Sequence, residues 1–269
     1  LLIKLLRAAA HQPLGNSGAS NDAGMFQYYV AEILQILDQR EDVDRSVLVD
    51  LEWIYLPLLE DSRRPAKVLL RALAEDPKFF LEVLCAVYKP SEASGIVEAE
   101  PEDIESTQAV ARRGFKLLNV WNHLPGTRDD GTIDGKELEA WIKEARALAK
   151  VKGRADIADH RIGNMLSASP KGADGNWPAE PVREVIDLFR NQRMIRGFRI
   201  GKFNRRGVTT RGMRDGGKLE REAVEYKKWA KAIAYDHPHT SKALNMLAES
   251  YDQLARRGDE EVERLDLES

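Results

Sequence analysis

Apolar residues recur at helical spacing over most of the chain. Phe26, Tyr29, Val30, Ile33, Leu34 and Leu37 share one helix face, and Val47, Leu48, Leu51, Tyr55, Leu58 and Leu59 share the next, where Pro57 predicts a kink in the last turn. Asp61 and Ser62 break the pattern. Pro65 suits the first position of a third helix carrying Val68, Leu69, Ala72 and Leu73. Asp76 reads as the N-cap and Pro77 as the first residue of a fourth, with Phe80, Val83, Leu84 and Val87 on its apolar face. Four short helices with tight joints predict helical hairpins stacked as a solenoid-like segment over 1–90, although no repeat of fixed period is visible in the residues.

The pattern lapses between Lys89 and Asp103, a stretch rich in Ser, Glu and Pro, so 91–103 reads as a linker or exposed loop. Beyond it, 104–269 reads as a helical C-terminal domain with helices over Ile104–Trp121, Lys136–Lys150, Ala155–Ser167, Ala179–Gln192, Leu219–Tyr235 and Pro238–Arg256. The stripes Leu138, Trp141, Ile142, Ala145, Leu148, Ala149 and Leu244, Leu247, Ala248, Tyr251, Ala255 are strong. Ile195 to Met213 resists a helical assignment, because Gly197, Gly201, Gly207 and Gly212 punctuate it. The spacing of Phe198, Ile200 and Phe203 suggests an irregular excursion or a short hairpin. The acidic tail from Gly258 to Ser269 is expected to fray. The expected fold is all-α: a short helical-repeat segment packed on a helical C-terminal domain with one irregular Arg/Gly-rich excursion.

Composition adds little to this and contradicts none of it. With 43% apolar and 32% charged residues among 269, the chain lies far from disordered compositions. No run of about 18 uncharged apolar residues predicts a membrane span. The single cysteine, Cys85, lies in the apolar run Phe79 to Tyr88 and is expected to be buried. Leu1 to Ala10 reads as a helix already under way, without an initiator Met, so the chain is expected to be part of a longer one without a signal peptide, in a cytoplasmic setting.

Motifs that carry chemistry are few. Asp129 to Glu137 resembles a calcium loop, but Gly126 and Arg128 stand where its first and third ligands belong, so Asp134 is expected to cap the following helix instead. Of His11, His123, His160, His237 and His239, only the pair in His237-Pro238-His239 is closely spaced, and it has no cysteine partner. No nucleophile elbow, phosphate-binding loop or dinucleotide fingerprint is present, and no carboxylate pair is singled out. No catalytic residue, metal or cofactor is therefore expected, and the chain is read as non-enzymatic. Trp53, Trp121, Trp141 and Trp229 fall on apolar faces, while Trp177-Pro178 opens a helix.

The most one-sided stretch runs from Arg190 to Lys218, where ten basic residues face one acid, Asp215, in a chain of net charge -3. Two readings are open. Arg199, Lys202, Arg205, Arg206, Arg211, Arg214 and Lys218 form an anion or partner-binding site, with Gly216-Gly217 opening a helix whose free N–H groups face the anion; or the arginines pair internally with acids such as Glu220, Glu222 and Glu225. Recognition of a protein or of a neighbouring domain is the first expectation, and nucleic-acid or phosphate binding the alternative. Aromatic interleaving is thin, since only Phe198 and Phe203 lie among the basic residues.

The set Trp121, Pro125-Gly126, Asp130-Gly131-Thr132-Ile133-Asp134, Trp141, Ile162-Gly163, Trp177-Pro178, Asn204-Arg205-Arg206-Gly207-Val208, Gly216-Gly217 and Glu220-Arg221 resembles the C-terminal region of very large bacterial multidomain proteins, some with nucleotide-binding or defence-like neighbours. The similarity covers most of the chain from Leu51 onward. It implies a helical C-terminal module attached to larger machinery, and it carries over no catalytic residue.

Overall fold

The computed structural model describes residues 1–10, 20–59, 62–205 and 216–267. Among them are twelve α-helices and no strand. Two compact units, Leu1–His123 and Leu124–Ser269, divide the chain at His123/Leu124, whereas the acidic 91–103 is an exposed connection inside the first unit. No helix among the described residues is long and apolar enough to cross a membrane.

The first unit holds α1 (Leu2–Ala10), α2 (Ser20–Asp38), α3 (Arg45–Leu59), α4 (Lys67–Glu75), α5 (Pro77–Val87) and α6 (Ile104–Val120). From α2 to α6 each helix packs on the next in sequence, a coarse helical-repeat-like pattern. The apolar stripes supply the core, with Leu34, Leu51, Leu69, Leu73, Phe80 and Leu84 all withdrawn from solvent. Asp76 caps α5 by accepting from the Lys78 N–H at 2.8 Å.

Pro65, in contrast, does not begin α4. That helix starts at Lys67 with no side-chain cap from Ala66, because its first amides are satisfied from elsewhere. The fully buried carboxylate of Glu52, on α3, accepts from Val68 N–H at 3.3 Å and Leu69 N–H at 2.7 Å. Arg64 completes the group, reaching Glu52 Oε1 at 2.6 Å and Asp38 at 2.9 and 2.6 Å, and Lys67 adds a 2.9 Å contact to Asp38. Burial pushes the Glu52 carboxyl above its ordinary value against the pull of Arg64. Burial acts the same way on Asp38, but Arg64 and Lys67 outweigh it and hold that carboxyl below its ordinary value. Cys85 is half-buried and not enclosed.

The second unit holds α7 (Gly135–Val151), α8 (Ala155–Leu166), α9 (Glu180–Phe189), α10 (Gln192–Asn204), α11 (Gly216–Ile233) and α12 (Pro238–Leu267). Helix α8 is its centre: every residue from Ile162 to Leu166 is buried, as are Ala158, Asp159 and Arg161. Its principal partner is α10, which occupies the stretch expected to be irregular or hairpin-like. The glycines read there as turn signals serve a different purpose. A methyl group built on Gly197 would overlap the carbonyl oxygen of His160, and one on Gly163 would overlap that of Met194, so the two backbones meet without side chains between them. Residues 206–213, the rest of the expected excursion, lie outside the described residues. The acidic tail continues α12 to Leu267 where fraying was expected, consistent with its content of strong helix formers such as Glu, Arg and Leu.

Two stability outcomes follow from these contacts. Arg64→Ala strands the Glu52 carboxylate in the core and should cost about 3–5 kcal/mol in urea unfolding, while Arg40→Ala, on the exposed Arg40–Asp42 pair, should leave the transition unmoved. Gly197→Ala separates two explanations by sign. Helix propensity alone would add roughly 1 kcal/mol of stability, whereas the close approach to α8 predicts a loss of about 1–3 kcal/mol.

Candidate functional site

Helix α10 presents three faces with different chemistry. One is the glycine contact with α8. A second lies against α12, where Arg196, Arg199, Ile200 and Phe203 face Leu247, Ser250, Gln253 and Leu254 across a groove of about 410 Å³. The four α10 residues follow i, i+3, i+4, i+7 spacing, which puts them on one side of two helical turns, roughly 10 Å long at 1.5 Å per residue. Arg199 is half-buried in this groove. Its Nη2 reaches the Met246 carbonyl oxygen at 3.4 Å, and its buried Nε–H has no hydrogen-bond partner among the described residues. Burial pushes its guanidinium below the ordinary arginine range, opposed by the charge of Glu249.

The third face carries Phe198, Lys202 and Arg205. It looks onto an aromatic cluster in which Trp177 stacks on Phe198 at 5.0 Å and meets Tyr226 and Trp229 at 5.9 and 6.2 Å. Tyr226 in turn meets Tyr251 at 5.3 Å, and burial next to Tyr251 raises its hydroxyl pKa well above the ordinary range. Trp177 is fixed by its Nε1–H, which donates to the Ser169 carbonyl oxygen at 2.8 Å. The Lys202 ammonium lies 4.3 Å from the centre of the Trp177 ring, and Lys171 lies 5.0 Å from that of Trp229. Arg205 donates from Nε to Ser167 Oγ at 3.0 Å and from Nη2 to the Asn164 carbonyl oxygen at 3.5 Å. Burial lowers the Lys202 pKa; Glu222 opposes that, while Arg205 and Lys171 add to it.

Of the residues expected to form one site, the structure therefore puts Arg199 on one face of α10 and Lys202 with Arg205 on another. Arg206, Arg211 and Arg214 lie outside the described residues, and Lys218 stands in the first turn of α11, where only its backbone is described. The remaining arginines of α10 and its approach are engaged differently: Arg190 Nε donates to the Asp187 carbonyl oxygen, and Arg193 pairs with Asp156 at 3.3 Å. Lys171 escapes a reading of the basic segment because it lies outside that segment. Trp229, read as a core residue, and Trp177, read as opening a helix, serve as the ring faces beneath two ammonium groups.

The loop that resembles a calcium site is closed from within. Arg128 Nη2 contacts Asp134 Oδ2 at 2.6 Å, Asp130 Oδ1 accepts from Thr132, and Asp134 Oδ1 caps α7 by accepting from the Lys136 and Glu137 amides. Among the described residues, no group of three or more His, Cys, Asp or Glu side chains converges. Calorimetric titration with calcium should give no dissociation constant tighter than about a millimolar, and replacing Arg128 should not by itself create one, since Gly126 still lacks a ligand.

No protein-family model, curated protein or solved structure matches the chain.

Proposed function

We propose that the chain is a recognition module acting without chemistry, in which the first unit is a short helical-repeat segment and the second docks an acidic protein partner, or a neighbouring domain of a larger bacterial protein, in the α10–α12 groove. The observation that carries this reading is the groove itself. Its floor is apolar, through Ile200, Phe203, Leu247 and Leu254, and it holds two arginines with no ion pair to a carboxylate among the described residues. The half-buried Arg199 guanidinium feels the charge of Glu249 but forms no ion pair with it, and an acidic group supplied by a partner would offset the cost of its burial more fully. A groove two turns long between helices suits an amphipathic helix that inserts apolar side chains at i, i+3 or i+4, and i+7. Catalysis would instead need titratable groups converging on one point, and the cations of α10 are divided between two faces. Membership of a larger bacterial protein rests on the resemblance of the sequence motifs.

Fluorescence anisotropy with two amphipathic helical peptides, equal in apolar face and opposite in charge, tests the proposal. The acidic peptide should bind and the basic one should not; Arg196→Glu with Arg199→Glu should weaken the acidic peptide at least about tenfold, roughly 1.4 kcal/mol. The same double variant should gain affinity for the basic peptide. Equal binding of the acidic peptide to both proteins would sink the groove as the docking surface.

A further inference from the structure

The face of α10 that looks away from this groove gathers positive charge without visible compensation at its lysines. Lys202 and Lys171 stand over Trp177 and Trp229, two rings whose centres are 6.2 Å apart, and Arg205 lies one helical turn beyond Lys202. Among the described residues neither lysine has an ion pair with a carboxylate; Glu222, the acid whose charge Lys202 feels, makes no ion pair with it. The ring faces attract the ammonium groups but cannot neutralise them. Like charges held together around a partly desolvated lysine are unfavourable unless an anion shares the site.

We propose that Lys171, Lys202 and Arg205 form a binding site for a phosphate group, with Trp177 and Trp229 holding the two ammonium groups in place. The chemistry favours phosphate over a single carboxylate. Lys171 and Arg205 lie close enough to Lys202 for their charges to act on it, a phosphate carries up to two negative charges on several acceptor oxygens, and two ammonium groups with one planar guanidinium offer donors to more than one of them. Arg205 is oriented for this through Ser167 Oγ and the Asn164 carbonyl, both at the buried end of α8. The site lies on a different face of α10 from the peptide groove, so occupancy of one can be measured with the other blocked.

The test is calorimetric titration of the whole chain with inorganic phosphate and, separately, with a single-stranded oligonucleotide at about 50 mM salt. Saturable phosphate binding with a dissociation constant of about a millimolar or tighter is expected. Lys202→Gln should weaken it at least about tenfold, and Lys171→Gln should weaken it in the same direction. Because Lys171 is exposed, its replacement leaves the fold in place and keeps the result readable even if Lys202→Gln is destabilised. If the oligonucleotide binds more than about tenfold tighter than phosphate, with a log–log salt slope of roughly -0.7 per contact, the phosphate belongs to a nucleic-acid backbone. Comparable affinities assign it to a small phosphorylated molecule. Absence of saturable binding of either probe at millimolar concentration, or binding unchanged by both substitutions, overturns the proposal.

Discussion

The contact between α8 and α10 is the constraint on which the second unit depends. Helices usually pack with axes about 8–10 Å apart because side chains fill the space between them. Here glycines at 163 and 197 remove those side chains, and the backbone of each helix rests on the carbonyls of the other. Each interior glycine sacrifices about 1 kcal/mol of helix propensity relative to alanine, so neither helix is favoured for its own sake. Closeness at this one seam decides what the other faces of α10 can reach. With its glycine face against α8, Phe198 is driven under Trp177, and Ile200 and Phe203 are left along α12.

Both units also share a way of finishing helices. Glu52 in the first unit and Asp187 in the second are acids on one helix that accept the leading amides of another: Glu52 takes Val68 and Leu69, and Asp187 takes the His239 and Thr240 N–H groups at 2.7 and 3.0 Å. A cap delivered from a distant part of the chain satisfies orphan donors, as a local cap does. It also fixes the second helix relative to the first, which an adjacent residue cannot do. Asp187 further accepts the Thr240 hydroxyl at 2.6 Å, so the start of α12 is tied to α9 at three points.

What was legible in the sequence follows from the range of each interaction. Apolar stripes and local caps reveal themselves within a few residues, and the helices around Leu51, Phe80, Trp141 and Leu247 stand close to where those patterns put them, with Asp76 and Asp134 as caps. Glu52 and Asp187 were not legible as caps, because their partners lie 16 and 52 residues away. Helix α10 was misread for a related reason. Gly197 and Gly201 signal turns when read locally, and their use as a helix contact becomes visible only beside Gly163 and Ser167 on α8. The candidate site was legible in part: Arg199, Lys202 and Arg205 stand on the two faces described above, while Lys171 and the two tryptophans come from segments whose own patterns announce nothing but loop and core.

The run of basic residues also misleads about its own geometry. Arg190, Arg193, Arg196, Arg199, Lys202 and Arg205 recur every third residue, which in a strand or loop would suggest a single continuous positive edge. On a helix with 3.6 residues per turn each such step turns the side chain back by about 60°, so over the nine residues from Arg196 to Arg205 the direction rotates by roughly 180°. The charge is thereby divided between the groove with α12 and the aromatic cluster on the other side. A long polyanion lying on one side of α10 would meet only part of it. Two smaller ligands, each combining a little negative charge with something apolar or polyoxygenated, would use it more fully, and it is this division of charge that underlies the proposal of two separate sites on one helix.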